Sequence, residues 1–333
     1  MRGIFFSGDQ RAELDELPDP VPGPGEVRLR VHASSICGTD LHRYRLSAEE
    51  REPYRRVVTG HEAAGIIDQV GEGVDPSLVG TRAVVFQAWG CQDPAGPCEE
   101  SLRPGSKRCP HATVMGLNTH GGNADFQILP ESAVLPLPDE IGWADAVLLT
   151  CSFGTAFSAV EKTRVKAGET VLVWGLGPIG LCNAAILHGL GAKVTGVDPS
   201  DPRREQAARL GIEVAESVPD ELLVDIEIES TGNPGVQAAL TSHLGPEGRA
   251  VLIGLGGGES LGPNLAFILK ELQVRGTMVF AREQWGSILA SYGSLEQPLA
   301  PLLVNETTTP EDAADAFTRA AAGLTSKVLI EWS

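Results

Sequence analysis

Two rhythms of apolar and polar positions divide this chain. Up to about residue 150 the apolar residues come in short runs bounded by turn residues. EVRLRVHASSI (26–36) alternates as a half-buried strand does, and AAGIIDQVG (63–71) and TRAVVFQAW (81–89) read as further short strands. The proline-rich LPDPVPGPGE (17–26) reads as a loop, and from 90 to 123 the periodicity fades into a long Gly-, Pro- and Cys-rich stretch. Beyond 150 the pattern changes. TVLVWG (170–175) is a continuous apolar run, as in a strand covered on both faces of a parallel sheet. A helical pattern (178–191), a strand (193–198), a helix (202–211), a strand (223–231), a helix (234–244) and a strand (249–256) follow in turn. Such alternation predicts a doubly wound α/β unit. A helix over 310–323 and a strand over 327–333 close the chain.

The length of 333 residues favours two domains over one core. With 42% hydrophobic and 21% charged residues the composition is that of a soluble globular protein, and no apolar run looks long enough to span a bilayer. The N-terminus, MRGIFFSGDQ, lacks a signal-peptide pattern, so a cytoplasmic protein is expected. Forty-four acidic against 26 basic residues give a formal charge of −18, which argues against nucleic acid or an anionic membrane as partner. Six cysteines (37, 91, 98, 109, 151 and 182) in a reducing compartment suggest metal binding before disulfides.

The first chemical signature is VLVWGLGPIG. Gly175, Gly177 and Gly180, with Leu176, Pro178 and Ile179 between them, stand directly after a strand and at the mouth of a helix. That is the context in which such glycines hold a dinucleotide. They allow a tight turn and close approach of the pyrophosphate, whose charge the helix N-terminus stabilises. Asp198 ends the next strand, where it would accept hydrogen bonds from ribose hydroxyls and repel a 2′-phosphate. NAD is therefore expected over NADP, a preference that Arg203 and Arg204 could weaken.

The second signature is SSICGTDLH (34–42), which gathers Cys37, Thr39, Asp40 and His42, all groups that bind metals or move protons. His61 and Glu62 lie in VVTGHEAAG and Cys151 in LLTCSFGTAFSAV. Singly each has a structural explanation. Together Cys37, His61 and Cys151 make a Cys₂His set with one position left over, the composition of a catalytic zinc site. In this order and spacing the motifs resemble the zinc-dependent medium-chain dehydrogenase/reductase family, whose members include alcohol, polyol and threonine dehydrogenases.

The resemblance covers essentially the whole chain. It implies an α/β fold with a GroES-like β-rich catalytic domain (1–152, completed by 281–333) and a Rossmann nucleotide-binding domain (153–280). It further implies that Cys37, His61 and Cys151 bind zinc, with Glu62 as a candidate transient ligand and Asp40 orienting His61. Thr39 would take the alcohol's proton and pass it through the nicotinamide ribose to His42. A homodimer or homotetramer is implied as well.

The pattern breaks in the lobe CQDPAGPCEESLRPGSKRC. The family's four-cysteine structural zinc site finds only Cys91, Cys98 and Cys109 here, with Ser101 in one ligand place. Either Asp93, Glu99, Glu100 or His111 completes an altered site, or the lobe holds no metal. Cys182 is expected to be packing alone. The substrate pocket is expected near Thr39, Gln87, Trp89, the 111–123 loop and Met278–Trp285. The expected reaction is hydride transfer between NAD(H) and a secondary alcohol, polyol or sugar-like hydroxyl, or the matching ketone. The alternatives are an NADPH-dependent carbonyl reductase using the same site in reverse, and, more remotely, a non-catalytic relative.

Overall fold

The computed structural model describes residues 1–89, 99, 109, 112–219, 221–256 and 260–332. The chain forms two units, Met1–Cys151 with Leu303–Ser333, and Ser152–Leu302.

The first unit is built on a sheet of seven strands. In spatial order they are Val304–Thr308, Lys327–Glu331, Glu26–Ile36, Ala63–Val70, Arg82–Val85 and Val134–Pro136, with Phe126–Pro130 also pairing with Glu26–Ile36. All pairings are antiparallel except the parallel contact between Val304–Thr308 and Lys327–Glu331. A separate hairpin, Arg2–Gly8 with Arg11–Glu16, supplies Ile4 and Phe6 to the core. Phe6 meets Tyr44 and Phe317 edge-on, at centroid distances of 5.5 and 5.0 Å. Phe317 comes from the helix Ala313–Ala321, whose buried positions 313, 316, 317 and 320 fall on one face at helical spacing. The expected strand over 81–89 is broken in two, Arg82–Val85 and Ala88–Trp89. The Phe86 N–H still reaches the Ala133 carbonyl in the register of the first piece, and Ala88–Trp89 then pairs with Thr113–Val114 instead.

The second unit carries six parallel strands in the order Glu213–Ala215, Lys193–Val197, Thr170–Trp174, Val224–Glu229, Leu244–Leu252 and Gln273–Gly276. Chain order reverses on either side of the strand Thr170–Trp174, as in a doubly wound sheet with a topological switch point. The strand Gln273–Gly276, at the sheet edge, is one that periodicity does not reveal.

One boundary differs from the sequence expectation. Residues 281–302 belong to the second unit, so the chain returns to the first at 303 rather than 281. The reason is local packing. The helix Trp285–Gly293 buries Trp285 and Ile288, Trp285 stacks near Phe280, and Tyr292 meets Phe153 edge-on at 5.1 Å.

The bilayer expectation also needs correcting. Trp143–Thr163 is long and apolar enough to cross a membrane by length and composition, but most of it is buried inside the protein, as in a core helix.

Candidate functional site

The polar stretch after Ile36 is helical. Gly38–Tyr44 forms a short helix with Cys37 at its N-cap. Asp40, in the first turn, accepts the Cys37 backbone N–H at 2.9 Å through Oδ2, which satisfies one of the donors a helix start leaves orphaned. Its other oxygen, Oδ1, lies 3.2 Å from His61 Nδ1. The carboxylate accepts a hydrogen bond from Nδ1–H, which directs the Nε2 lone pair of the neutral ring, the form that binds a metal, toward the two thiols. That nitrogen is 3.9 Å from Cys151 Sγ, which in turn is 4.0 Å from Cys37 Sγ. Ligand atoms of Cys37, His61, Glu62 and Cys151 all lie within 4.8 Å of one another. Cys151 is carried by a π-helical turn, Leu149–Phe153, of the kind often found where a helix re-aims a functional side chain. Gln87, expected near the pocket, steadies this turn by donating to the Thr150 carbonyl at 2.9 Å.

The electrostatics fit a cation. Cys37 is held well below the ordinary thiol value, first by its hydrogen bond with Cys151 and then by the positive charge of His61. The same hydrogen bond and burial push Cys151 up. Burial would depress His61, but the Asp40 carboxylate and the Cys37 thiolate raise it well above normal. Glu62 is fully buried and raised by that burial, against the pull of Lys327. Its Oε2 accepts from Ser35 Oγ and from Lys327 Nζ, while Oε1 is buried with no partner among the described residues. Two thiols, an imidazole and an unsatisfied carboxylate oxygen in one cluster are a donor set that zinc suits.

Thr39 and His42 lie three residues apart on the helix Gly38–Tyr44, hence on neighbouring positions of one face. Thr39 Oγ1 is 3.9 Å from Cys37 Sγ, whereas His42 is exposed. The structure thus brings Cys37, Thr39, Asp40, His61, Glu62 and Cys151 together. It also adds two residues that sequence reasoning missed, Lys327 and Ser35. Lys327 is 2% exposed and lies in the closing strand. A lysine at the head of the apolar run VLI (328–330) was the available signal.

In the second unit the glycine turn joins the strand Thr170–Trp174 to the helix Pro178–Gly189. Gly175 has φ +83°, a left-handed conformation, and a Cβ there would come within 2.7 Å of Thr231. A Cβ on Gly180 would fall 1.8 Å from the Gly175 carbonyl, so that glycine is needed for close packing of helix on turn. Around Gly177, the helix N-cap, a Cβ would meet nothing within 4 Å. That leaves the space a pyrophosphate needs, in front of the N-terminus of the helix Pro178–Gly189. Asp198 is 2% exposed and accepts from the Leu176 N–H at 2.8 Å and the Ser200 N–H at 2.9 Å. Arg203 approaches its Oδ2 at 3.4 Å, while Arg204 donates to its carbonyl. Cys182 is fully buried in the helix behind the turn.

Of the cysteine lobe, Cys91, Cys98, Ser101, Asp93, Glu100 and His111 lie outside the described residues, and Cys109 is half-buried. An altered structural metal site in the lobe is therefore left as a sequence expectation.

Comparison with known proteins agrees with this geometry. Residues 23–139 match the profile of the alcohol dehydrogenase GroES-like domain, and residues 178–292 that of the zinc-binding dehydrogenase. The chain is 32% identical over 335 residues to the L-threonine 3-dehydrogenase of Pyrococcus abyssi, covering 96% of this chain and 94% of that protein. It is 30% identical over 308 residues to the 2-dehydro-3-deoxy-L-galactonate 5-dehydrogenase of Pseudoalteromonas atlantica, covering 87% of each. Among solved structures, an Escherichia coli CFT073 short chain alcohol dehydrogenase complexed with NADH superposes with a TM-score of 0.87 at 26% identity, over 99% of both chains.

Proposed function

The chain belongs to the zinc-dependent medium-chain dehydrogenase/reductase family, and from that premise we propose the roles of its residues. It is an oxidoreductase of alcohols or polyols that uses Zn²⁺ and NAD(H). In this reading Cys37, His61 and Cys151 hold the catalytic zinc and leave one position for the substrate oxygen. The observation that carries it is the convergence of their ligand atoms within 4.8 Å, with the histidine aimed by Asp40. When bound, zinc supplies Lewis acidity toward the substrate hydroxyl, and the nicotinamide takes up the hydride.

The chain's own groups handle the proton. Thr39 accepts it from the substrate hydroxyl, and His42, exposed at the same helix, releases it to water. Glu62 is a reserve ligand held back by Lys327 and Ser35. Leu176, Gly177, Pro178, Ile179 and Gly180 cradle the pyrophosphate, and Asp198 takes the adenosine ribose hydroxyls, which favours NAD. Arg203, already turned toward Asp198, supports that carboxylate. The named relatives are dehydrogenases of hydroxylated small molecules, which does not favour the reductase alternative.

A homo-oligomer fits the surface. Leu265, Ile268 and Leu269 are 62–73% exposed on the helix Asn264–Lys270, which directly precedes the edge strand Gln273–Gly276. An apolar patch beside an unpaired edge suits pairing with a second copy. A cytoplasmic location is consistent with the reduced thiols this site needs.

The test is zinc per chain by elemental analysis, on wild type and on Cys151→Ser. Wild type should hold zinc and the variant should lose close to one equivalent. A zinc-supplied wild type that retains none would remove the ligand assignment and the mechanism with it.

A further inference from the structure

We propose that the substrate carries an anionic group, a carboxylate or phosphate, and that Arg43 binds it. The inference rests on the dehydrogenase reading above and narrows its substrate class.

In a chain of net charge −18, the segment from 43 to 56 is locally basic, with Arg43, Arg45, Arg51, Arg55 and Arg56 against three glutamates. Arg43 lies one turn beyond Thr39 on the helix Gly38–Tyr44, so the two side chains share a face at i, i+4 spacing. Its Nη1 donates to the Gly116 carbonyl at 2.8 Å. Gly116 packs on the turn before the metal-binding histidine, since a Cβ there would stand 2.7 Å from the Gly60 carbonyl. The guanidinium is thus anchored beside the candidate site. That bond uses one of its five N–H donors, and no carboxylate pairs with it among the described residues.

Arg51 is 1% exposed. Its hydrogen bonds go to the Phe6 and Tyr54 carbonyls, at 3.4 and 2.9 Å, and its guanidinium stands over the Phe6 and Tyr54 rings. Burial, and after it the charge of Arg43, lowers the Arg51 guanidinium from its ordinary value. Arginine's planar fork suits both carboxylate and phosphate.

The experiment uses the zinc-loaded protein with NAD⁺ and two matched pairs, 2-butanol against 3-hydroxybutyrate, and glycerol against glycerol 1-phosphate. Binding by calorimetry and kcat/KM are both read. We expect at least one anionic member to be preferred by tenfold or more. Arg43→Gln should cut that ratio at least tenfold, and Arg43→Lys should restore part of it. The pair that responds distinguishes carboxylate from phosphate. If Arg43→Gln does not fold, the wild-type ratio and its fall with added salt decide the matter. Neutral compounds preferred, a ratio untouched by Arg43→Gln, or no binding of any member would overturn the inference. Zinc content and NADH binding of the same preparation report separately on the dehydrogenase reading.

Discussion

Glu227 offers a test that needs neither substrate nor cofactor. It sits in the strand Val224–Glu229, fully buried, with Oε2 accepting the Trp174 indole N–H at 2.8 Å and Oε1 without a partner among the described residues. Burial pushes its carboxyl up to about 8 from the ordinary 4.5, against weaker pulls from Trp174 and the charge of Lys270. The folded protein therefore holds a proton that the unfolded chain releases between pH 4.5 and 8. Stability from this group is fully present below pH 4.5 and is lost as pH rises toward 8. At about 1.4 kcal/mol per pH decade, its loss between pH 5 and 7.5 is about 3 kcal/mol. Glu227→Gln keeps an acceptor for the indole but carries no proton to lose. Denaturation midpoints of both proteins, at fixed zinc from pH 5 to 8, should diverge. The variant should gain on wild type by an amount approaching that figure, and the gap should flatten above pH 8. Parallel curves would refute the account of a neutral buried carboxyl, as would a gap that widens toward acid. Trp174 fluorescence titrating near pH 8 in wild type and not in the variant would confirm it independently.

Lys327→Met should strand the Glu62 carboxylate inside the protein and lower stability by about 3–5 kcal/mol, read as a drop in Tm. The double variant with Glu62→Gln should recover most of it. Gly180→Ala should force the helix off the Gly175 carbonyl and weaken NADH binding by more than about tenfold, roughly 1.4 kcal/mol, in a fluorescence titration. Zinc content should not change, because the affected turn lies in the other unit.

What the sequence made legible was local. The glycine turn could be read because strand, glycines and helix are contiguous, so the backbone demands of Gly175 and Gly180 appear as adjacent letters. The alternation after residue 150 is likewise a neighbour-to-neighbour signal. Cys37, His61 and Cys151 are far apart, and only a familiar order of motifs joined them before the fold did. The members of the Lys327–Glu62 pair are 265 positions apart in the sequence, and no periodicity links them. The return at 303 instead of 281 was hidden for a similar reason. Trp285 and Ile288 would suit either unit by hydrophobicity, and their neighbours Phe280 and Phe153 decide it. The helical start at Gly38 was masked by weak propensity, since glycine, threonine and aspartate favour it little. It stands because Asp40 caps it and grips His61.

The discontinuity of the first unit has a consequence for how the protein is made. Cys37, His61 and Cys151 leave the ribosome well before the strand Lys327–Glu331, with all of Ser152–Leu302 translated in between. At roughly 5–20 residues per second, the interval from Cys37 to Lys327 is about 15–60 s. During it the end of the strand Glu26–Ile36 from Ala33 to Ile36 lacks its partner on one side and presents an open edge. Glu62 meanwhile has no ammonium to bury against. The second unit is complete in sequence first, so the first can close its sheet and its Lys327–Glu62 pair only near the end of synthesis. A nascent chain stalled before residue 327 is therefore a natural client for chaperones that shield unpaired strands.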